Sequence, residues 1–329
     1  MSVIKSAPTV VDLFSGAGLL SLAFRNVGFS IIKAIEKNPI AAKTYTQNLG
    51  NHVQIDDVRE IEPKGRCDVI IAGPPCQGFS TLGKKDKNDP RNLLSFEVYR
   101  WAKKLKPKVV VIENVAAFQK SWEWETLCEY FLREGYMVSA FTMNAHFFGV
   151  AQHRIRSFTI IHCPQISIHS PTPPEFSCPL TVRNAWDGLS EKPNEKNLHI
   201  SPTPSPLAES RMRVIPPGGD KRDVMKNAPH LAPPSWWRIM GQATDVWGRL
   251  HWDKPSNTLR TALQNPSKGR YIHPEQNRVI SLREAARLQS IPDDWIFCGT
   301  PTQIAQQIGN SVPPLLGKAV AQIVLESIT

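Results

Sequence analysis

The chain has 329 residues, 41% of them apolar, with 39 Lys and Arg against 29 Asp and Glu, a net charge of +10 and a pI near 9.4. That length suits one large domain or two of ordinary size, and the apolar share is ample for a packed globular core. No run approaches the about 18 apolar residues of a membrane span, and the start, MSVIKSAPTV, lacks the blocks of a secretion signal, so a cytoplasmic protein is expected, near the nucleoid if prokaryotic.

From residue 9 to about 162, short β-branched runs alternate with helical patterns, as in a parallel sheet with crossover helices. Strands are predicted at Val10–Phe14, Ser30–Ile35, Val53–Asp56, Val69–Ala72, Val109–Ile112, Met137–Met143 and Ser157–His162. The clearest helix is Leu94–Leu105, where Leu94, Val98, Trp101, Ala102 and Leu105 share one face. Residues 164–266 then hold 16 of the 28 prolines and five of the nine tryptophans, which predicts irregular loops and short edge strands around a small core. Helical patterns return at Leu282–Gln289 and from Pro314 onward.

Val10-Val11-Asp12-Leu13-Phe14-Ser15-Gly16-Ala17-Gly18-Leu19 reads as strand, glycine turn and helix start, where a backbone can approach a ligand at the sheet's carboxyl edge. The third glycine of a dinucleotide pattern is replaced by Ser21. Glu36, about 20 residues on, is placed for ribose hydroxyls and Asp57 for an adenine amino group, a pocket that fits S-adenosylmethionine, which has no phosphate. The same segment alone is also consistent with a tight turn and a surface acid.

GPPCQGFS, residues 73–80, follows the apolar run Val69–Ala72, and Pro74-Pro75 stiffen the support of Cys76. The six cysteines, Cys67, Cys76, Cys128, Cys163, Cys178 and Cys298, form no CxxC pair, so neither a zinc site nor a disulfide framework is suggested. Cys128 and Cys163 read as packing residues; Cys76, followed by Gln77 and Gly78, reads as a nucleophile. The next strand ends in Glu113-Asn114-Val115, setting a carboxyl group at the same edge, where burial should raise its pKa and suit it to donate a proton. Period two puts Gln152, Arg154 and Arg156 on one strand face and His153 on the other; for that run alone a solvated face is the stronger reading.

VDLFSGAG, GPPCQGFS, ENV, QHRIR, REAARLQSIPDDW and QIGNSVPP, in this order, closely resemble the motif series of the DNA (cytosine-5)-methyltransferases. The resemblance covers about residues 9–162 and 254–325. Ala151 stands where many members have proline, and Ile291 where an aromatic residue is common. The resemblance implies an α/β, Rossmann-like S-adenosylmethionine-dependent fold, mostly parallel with helices on both faces, and a smaller irregular target-recognition domain. Residues 1–163 would form the catalytic domain, 164–253 the recognition domain, and 254–329 a segment returning to the catalytic domain.

It further implies that Cys76 adds to carbon 6 of cytosine, that Glu113 serves ring nitrogen 3, and that Arg154 and Arg156 hold the base oxygen and the cysteine loop. Phe14, Gly16, Gly18, Leu19, Glu36, Asp57, Val58, Pro75, Asn310 and Val312 would contact S-adenosylmethionine, with no metal. Double-stranded DNA is the expected partner, consistent with the basic charge, and the base must be flipped out of the stack. Ser80 and Arg91 in the loop Thr81–Asn92 region would grip phosphates, while Arg211, Arg213, Arg238, Arg249 and Arg260 are candidates to read DNA. Trp236-Trp237 is expected to support that module more than to touch DNA. A restriction-modification setting, with a cognate endonuclease as functional partner, and a monomer are expected. Transfer RNA methylation and an inactive DNA-binding regulator are the alternatives; the CFT motif of the RNA-directed branch is absent, and Cys76 with Glu113 argues against inactivity.

Overall fold

The computed structural model describes residues 6–75, 90–174, 180–190, 192–239 and 241–329. The chain forms two compact units: residues 1–148, 155–174 and 312–329 make the first, and 149–154 with 175–311 the second. The return to the first unit is therefore confined to 312–329. Residues 254–311, expected to accompany it, instead bond into the second unit, where Trp186 Nε1 donates to Glu284 O and Arg249 Nη1 to His273 O.

The first unit is built on seven strands: β1 (Thr9–Leu13), β2 (Ser30–Glu36), β3 (Val53–Ile55), β4 (Val69–Ala72), β5 (Val109–Val115), β6 (Met137–Asn144) and β7 (Ile155–His162), in the order β3-β2-β1-β4-β5-β7-β6. β7 alone runs antiparallel to its neighbours. The central strands VIIA and VVVI are buried on both faces, as β-branched runs in a covered parallel sheet should be. β5 outlasts its apolar run because Glu113, Asn114 and Val115 keep pairing with Phe158, Ser157 and Arg156; for the same reason β7 begins before Ser157.

Side chains alternate across the sheet. Val11, Leu13, Ile70, Ala72, Val110 and Ile112 pack with Trp101 and Leu105 of α3 and with Leu127 and Phe131 of α4, after α1 (Leu19–Val27), α2 (Pro39–Leu49), α3 (Ser95–Leu105) and α4 (Trp122–Arg133) are counted in chain order. Asp12, on the opposite face, is met by Ser21 of α1, so helices cover both faces. Leu94 lies in the 3-10 turn before α3 rather than in the helix. The C-terminal helix, Pro314–Ile328, packs on α1 so closely that a Cβ at Gly317 would lie 2.8 Å from that of Ala23.

The second unit has short helices, including Pro206–Val214, Lys221–Asn227, Pro234–Arg238, Leu282–Leu288 and Pro301–Asn310, and among the described residues its strand pairing is reduced to isolated bridges. Proline opens several of these helices, where its missing N–H has no intrahelical partner to lose. Met212, Ile215, Val224, Met225, Trp236, Trp247, Ile272 and Val279 form a core.

Candidate active site

β1 ends in a turn with Phe14 at φ 61°, Gly16 at 55° and Gly18 at 90°. Phe14, which carries a Cβ, has its backbone in the left-handed region, a strain that characteristically gathers at ligand clamps. A Cβ at Gly18 would strike Leu49 Cδ1 at 2.6 Å and Tyr45 Cδ2 at 2.7 Å, so packing on α2 requires the glycine; Gly16 faces open space. The Gly16 amide donates to Glu36 Oε2 and the Asn38 amide to Oε1, both at 2.7 Å. Glu36 is thus tied to the turn, with its pKa raised by burial. Leu19 and Val58 are buried, and Pro75 is half-buried.

Asp57 differs from the expectation of a free acceptor. Its oxygens receive Arg59 N, Arg59 Nε, Arg59 Nη2 and Lys37 Nζ at 2.7–3.0 Å, which fills its four lone-pair positions and holds its pKa well below the usual range. An adenine amino group could bind only after the exposed Lys37 or Arg59 swings away. Below the turn, Asp12 Oδ2 accepts from Ser21 Oγ at 2.6 Å, Ser21 Oγ from Tyr45 OH at 3.0 Å, and Tyr45 OH meets His52 Nε2 at 2.9 Å. Burial pushes the Asp12 carboxyl up to about 8, with the Ser21 bond opposing and Glu36 adding to the rise. Sequence reading missed this chain, although an acid inside an apolar strand was its signal.

The carboxyl ends of β4 and β5 adjoin. Glu113 is only 8% exposed, and a Cβ on Gly73 would sit 3.8 Å from its Oε2. Asn114 Nδ2 donates to Pro74 O at 3.3 Å, and Ser157 Oγ donates to Asn114 O and Val115 O. The proline segment that leads into Cys76 is therefore fastened to Asn114, the residue after Glu113. From antiparallel β7, Arg156 Nε lies 3.2 Å from Glu113 Oε1, both side chains being mostly buried. The expected protonation of Glu113 rested on burial alone and did not include this counter-charge. Cys76, Ser80 and the side chain of Arg91 lie outside the described residues. Cys67 and Cys128, with pKa values pushed up to about 12 by burial, are unsuited to nucleophilic work.

In the second unit, alternation holds: Gln152 and Arg154 are buried and His153 exposed. Arg154 donates from Nη1 to Leu259 O at 3.0 Å and from Nη2 to Gly309 O and Ser311 O at 2.9 Å. Gln152 bonds Gln289 Oε1 and accepts from the Leu259 amide, and Gln289 reaches Ile308 O. A Cβ at Gly309 would lie 2.5 Å from the main chain at Arg260. Three sequence motifs, QHRIR, RLQ and GNS, thus lock into one buried polar joint, in which Gln289 and Gly309 are members that sequence reading passed over. Asn310 is exposed in this unit, and Val312 is buried in the first.

The model of C-5 cytosine-specific DNA methylases matches residues 8–326. The chain belongs to that family. It is 35% identical to the Type II methyltransferase M1.HphI of Haemophilus parahaemolyticus, over 97% of this chain and 87% of the relative, and 30% identical to the Type II methyltransferase M.DdeI of Desulfomicrobium norvegicum, over 95% and 87%. The fold matches that of the Entamoeba histolytica methyltransferase EhMeth with a TM-score of 0.70 at 18% identity, covering 99% of this chain and all of that one. The ENV, QHRIR and GNS residues described above thus belong to a cytosine-5 DNA methylase. Among the described residues of this methylase no group of His, Cys, Asp and Glu could hold a metal ion, and no helix is long and apolar enough to cross a membrane.

The methylase's five candidate DNA arginines divide sharply. Arg249 is buried, pushed down to about 10 by that burial, and donates to Ile215 O, His273 O, Gln276 O, Met212 O and Asn277 Oδ1. Arg211 donates to Leu231 O and stacks on Trp236 and Trp247, 5.2 and 5.3 Å from their centroids. Arg249 is thus buried scaffold, its donors spent on its own unit, whereas Arg211 is half-buried and braces two tryptophans. Arg260 binds Asp245 and Lys268 O, and Arg213 forms a surface pair with Glu209. Arg238 is exposed, with no hydrogen bond or ion pair among the described residues.

Proposed function

We propose that this chain transfers a methyl group from S-adenosylmethionine to carbon 5 of a flipped cytosine in a specific duplex DNA sequence, as the modifying partner of a restriction endonuclease. The observation that carries the reading is the edge where Gly73–Pro75 is fastened beside Glu113, itself paired with Arg156. Cys76 follows that fastened segment directly.

The Cys76 thiolate forms a bond to carbon 6, and the displaced electron pair moves to the ring while Glu113 holds a proton at nitrogen 3. Carbon 5 becomes nucleophilic. Arg156 orients Glu113 and brings positive charge to this edge, which favours the thiolate form of a nearby thiol. Arg154 acts as a positioning residue, since its donors hold carbonyls of its own unit. After methylation, loss of the carbon 5 proton and cleavage of the carbon–sulfur bond restore the ring and the free thiolate.

Phe14, Gly16, Gly18, Leu19, Glu36, Val58, Pro75 and Val312 would hold S-adenosylmethionine, with Asn310 as a further contact and Asp57 available once Lys37 or Arg59 moves. The open space over Gly16 and the acceptors of Glu36 fit a hydroxyl-bearing ligand that brings no phosphate. When bound, it supplies the methyl group on an electrophilic sulfonium. Bisulfite sequencing of plasmid DNA from cells expressing the chain is expected to show methylated cytosines within one short sequence. An oligonucleotide carrying 5-fluorocytosine at that position, with the methyl donor present, should trap a covalent adduct mapping to Cys76 and absent from Cys76→Ala. Unmethylated plasmid, or no adduct surviving denaturation, overturns the assignment.

A further inference from the structure

The helix Pro234–Arg238 separates its two tryptophans. Trp236 is buried, tilted on Trp247 at 5.6 Å, with the Arg211 guanidinium against both rings. Trp237 is 45% exposed and Ile239 is 39% exposed, and between them in sequence Arg238 is exposed with no hydrogen bond or ion pair among the described residues. One side of this short element is clamped into the core, while Trp237, Arg238 and Ile239, consecutive in sequence, are all exposed. Exposed apolar surface rimmed by charge marks an interaction site.

The chain immediately beyond is held in an unusual way. Lys221 is fully buried, and its ammonium donates to Ile239 O at 3.2 Å and Gln242 O at 2.7 Å while forming no ion pair among the described residues. Burying an ammonium is costly, so its use to fix two carbonyls of a surface segment indicates that the position of that segment matters. Ala243 and Trp247 follow with φ of 49° and 53°, left-handed conformations rarely adopted by residues with side chains.

Resting on the DNA methylation reading, we propose that Arg238 is the guanine-reading side chain of this enzyme, with Trp237 and Ile239 covering the apolar part of the neighbouring base edge. An arginine fork can donate two bonds to O6 and N7 of guanine in the major groove, and an apolar side chain can meet a thymine methyl. A phosphate contact fixes register without reading sequence, and a lysine can supply it as a point charge. Here the stem rises from a braced support, and the adjoining surface is apolar. Of the five arginines first considered, Arg249 is buried scaffold, Arg211 is half-buried against two tryptophans and Arg213 and Arg260 are ion-paired, while Arg238 is exposed with no such partner among the described residues.

The test is bisulfite mapping of one plasmid after expression of the wild type, Arg238→Ala, Arg238→Lys and Trp237→Ala. The wild type is expected to require guanine at one position of its site, and both Arg238 variants should lose about tenfold to a hundredfold of that discrimination. Trp237→Ala should weaken methylation at the same site without broadening that position. A wild-type site lacking guanine overturns the inference, as does an unchanged site in both Arg238 variants. So does a uniform loss in Arg238→Ala that Arg238→Lys restores, since that pattern identifies a phosphate contact. A wild type that methylates nothing brings down the function itself and this inference with it.

Discussion

Glu113 and Arg156 sit on strands whose main-chain groups pair along β5 and β7, while Arg249 sits among loops and itself donates to four main-chain carbonyls. In the first unit the ladder holds the geometry, leaving side chains at strand ends free for chemistry. In the second, prolines and loops supply few ladders, and guanidinium and ammonium groups take their place. Positive charge in this protein therefore measures scaffolding as well as attraction to DNA.

The sharpest break of that comparison is at Glu113. Glu113→Gln is expected to slow single-turnover methyl transfer by at least about 100-fold, the usual scale for loss of a proton-handling group, and an unchanged rate would remove it from the chemistry. Arg249→Met should act oppositely: folding stability falls by about 3–5 kcal/mol as several buried carbonyls lose their donor, read by denaturant unfolding. A loss below about 1 kcal/mol would contradict the scaffold role.

Asp12 tests the floor of the glycine turn. Its pKa is about 8 when folded against about 3.9 when unfolded, so between these values the folded chain keeps a proton that the unfolded chain has released. Its contribution to stability is complete below pH 4 and is lost as pH rises toward 8. Asp12→Asn, which keeps an acceptor for Ser21, should therefore gain on the wild type by up to about 1.4 kcal/mol per pH unit across that window. Parallel unfolding curves at pH 5 and 8 would refute it. The smallest expected effect is on the stability of Arg238→Ala, within about 0.5 kcal/mol of wild type, because that exposed side chain makes no hydrogen bond or ion pair among the described residues.

The sheet was readable because Val69–Ala72 and Val109–Ile112 are apolar runs that only a doubly covered strand accommodates, and the placement of Glu113 after the second run followed from it. Partners were less readable. Asp57 looked free until Arg59 and Lys37 were seen around it, and Arg211 and Arg249 look no different in sequence from Arg238. An arginine's role depends on whether carbonyls left over by loops surround it, and that is decided by tertiary packing. The Trp236-Trp237 pair carries the same lesson, since adjacent side chains on a short helix face different surroundings.

The first unit is interrupted in sequence by nearly all of the second, and its α1 is covered by a helix made of the last residues, with Gly317 permitting the approach. During synthesis the N-terminal strands thus leave the ribosome with Leu20 and Ala23 still lacking their cover. They must wait for more than 280 further residues. Folding of the first unit in a nascent chain is therefore deferred until residues 312–329 have been made, and their removal should yield an aggregating product rather than a smaller enzyme.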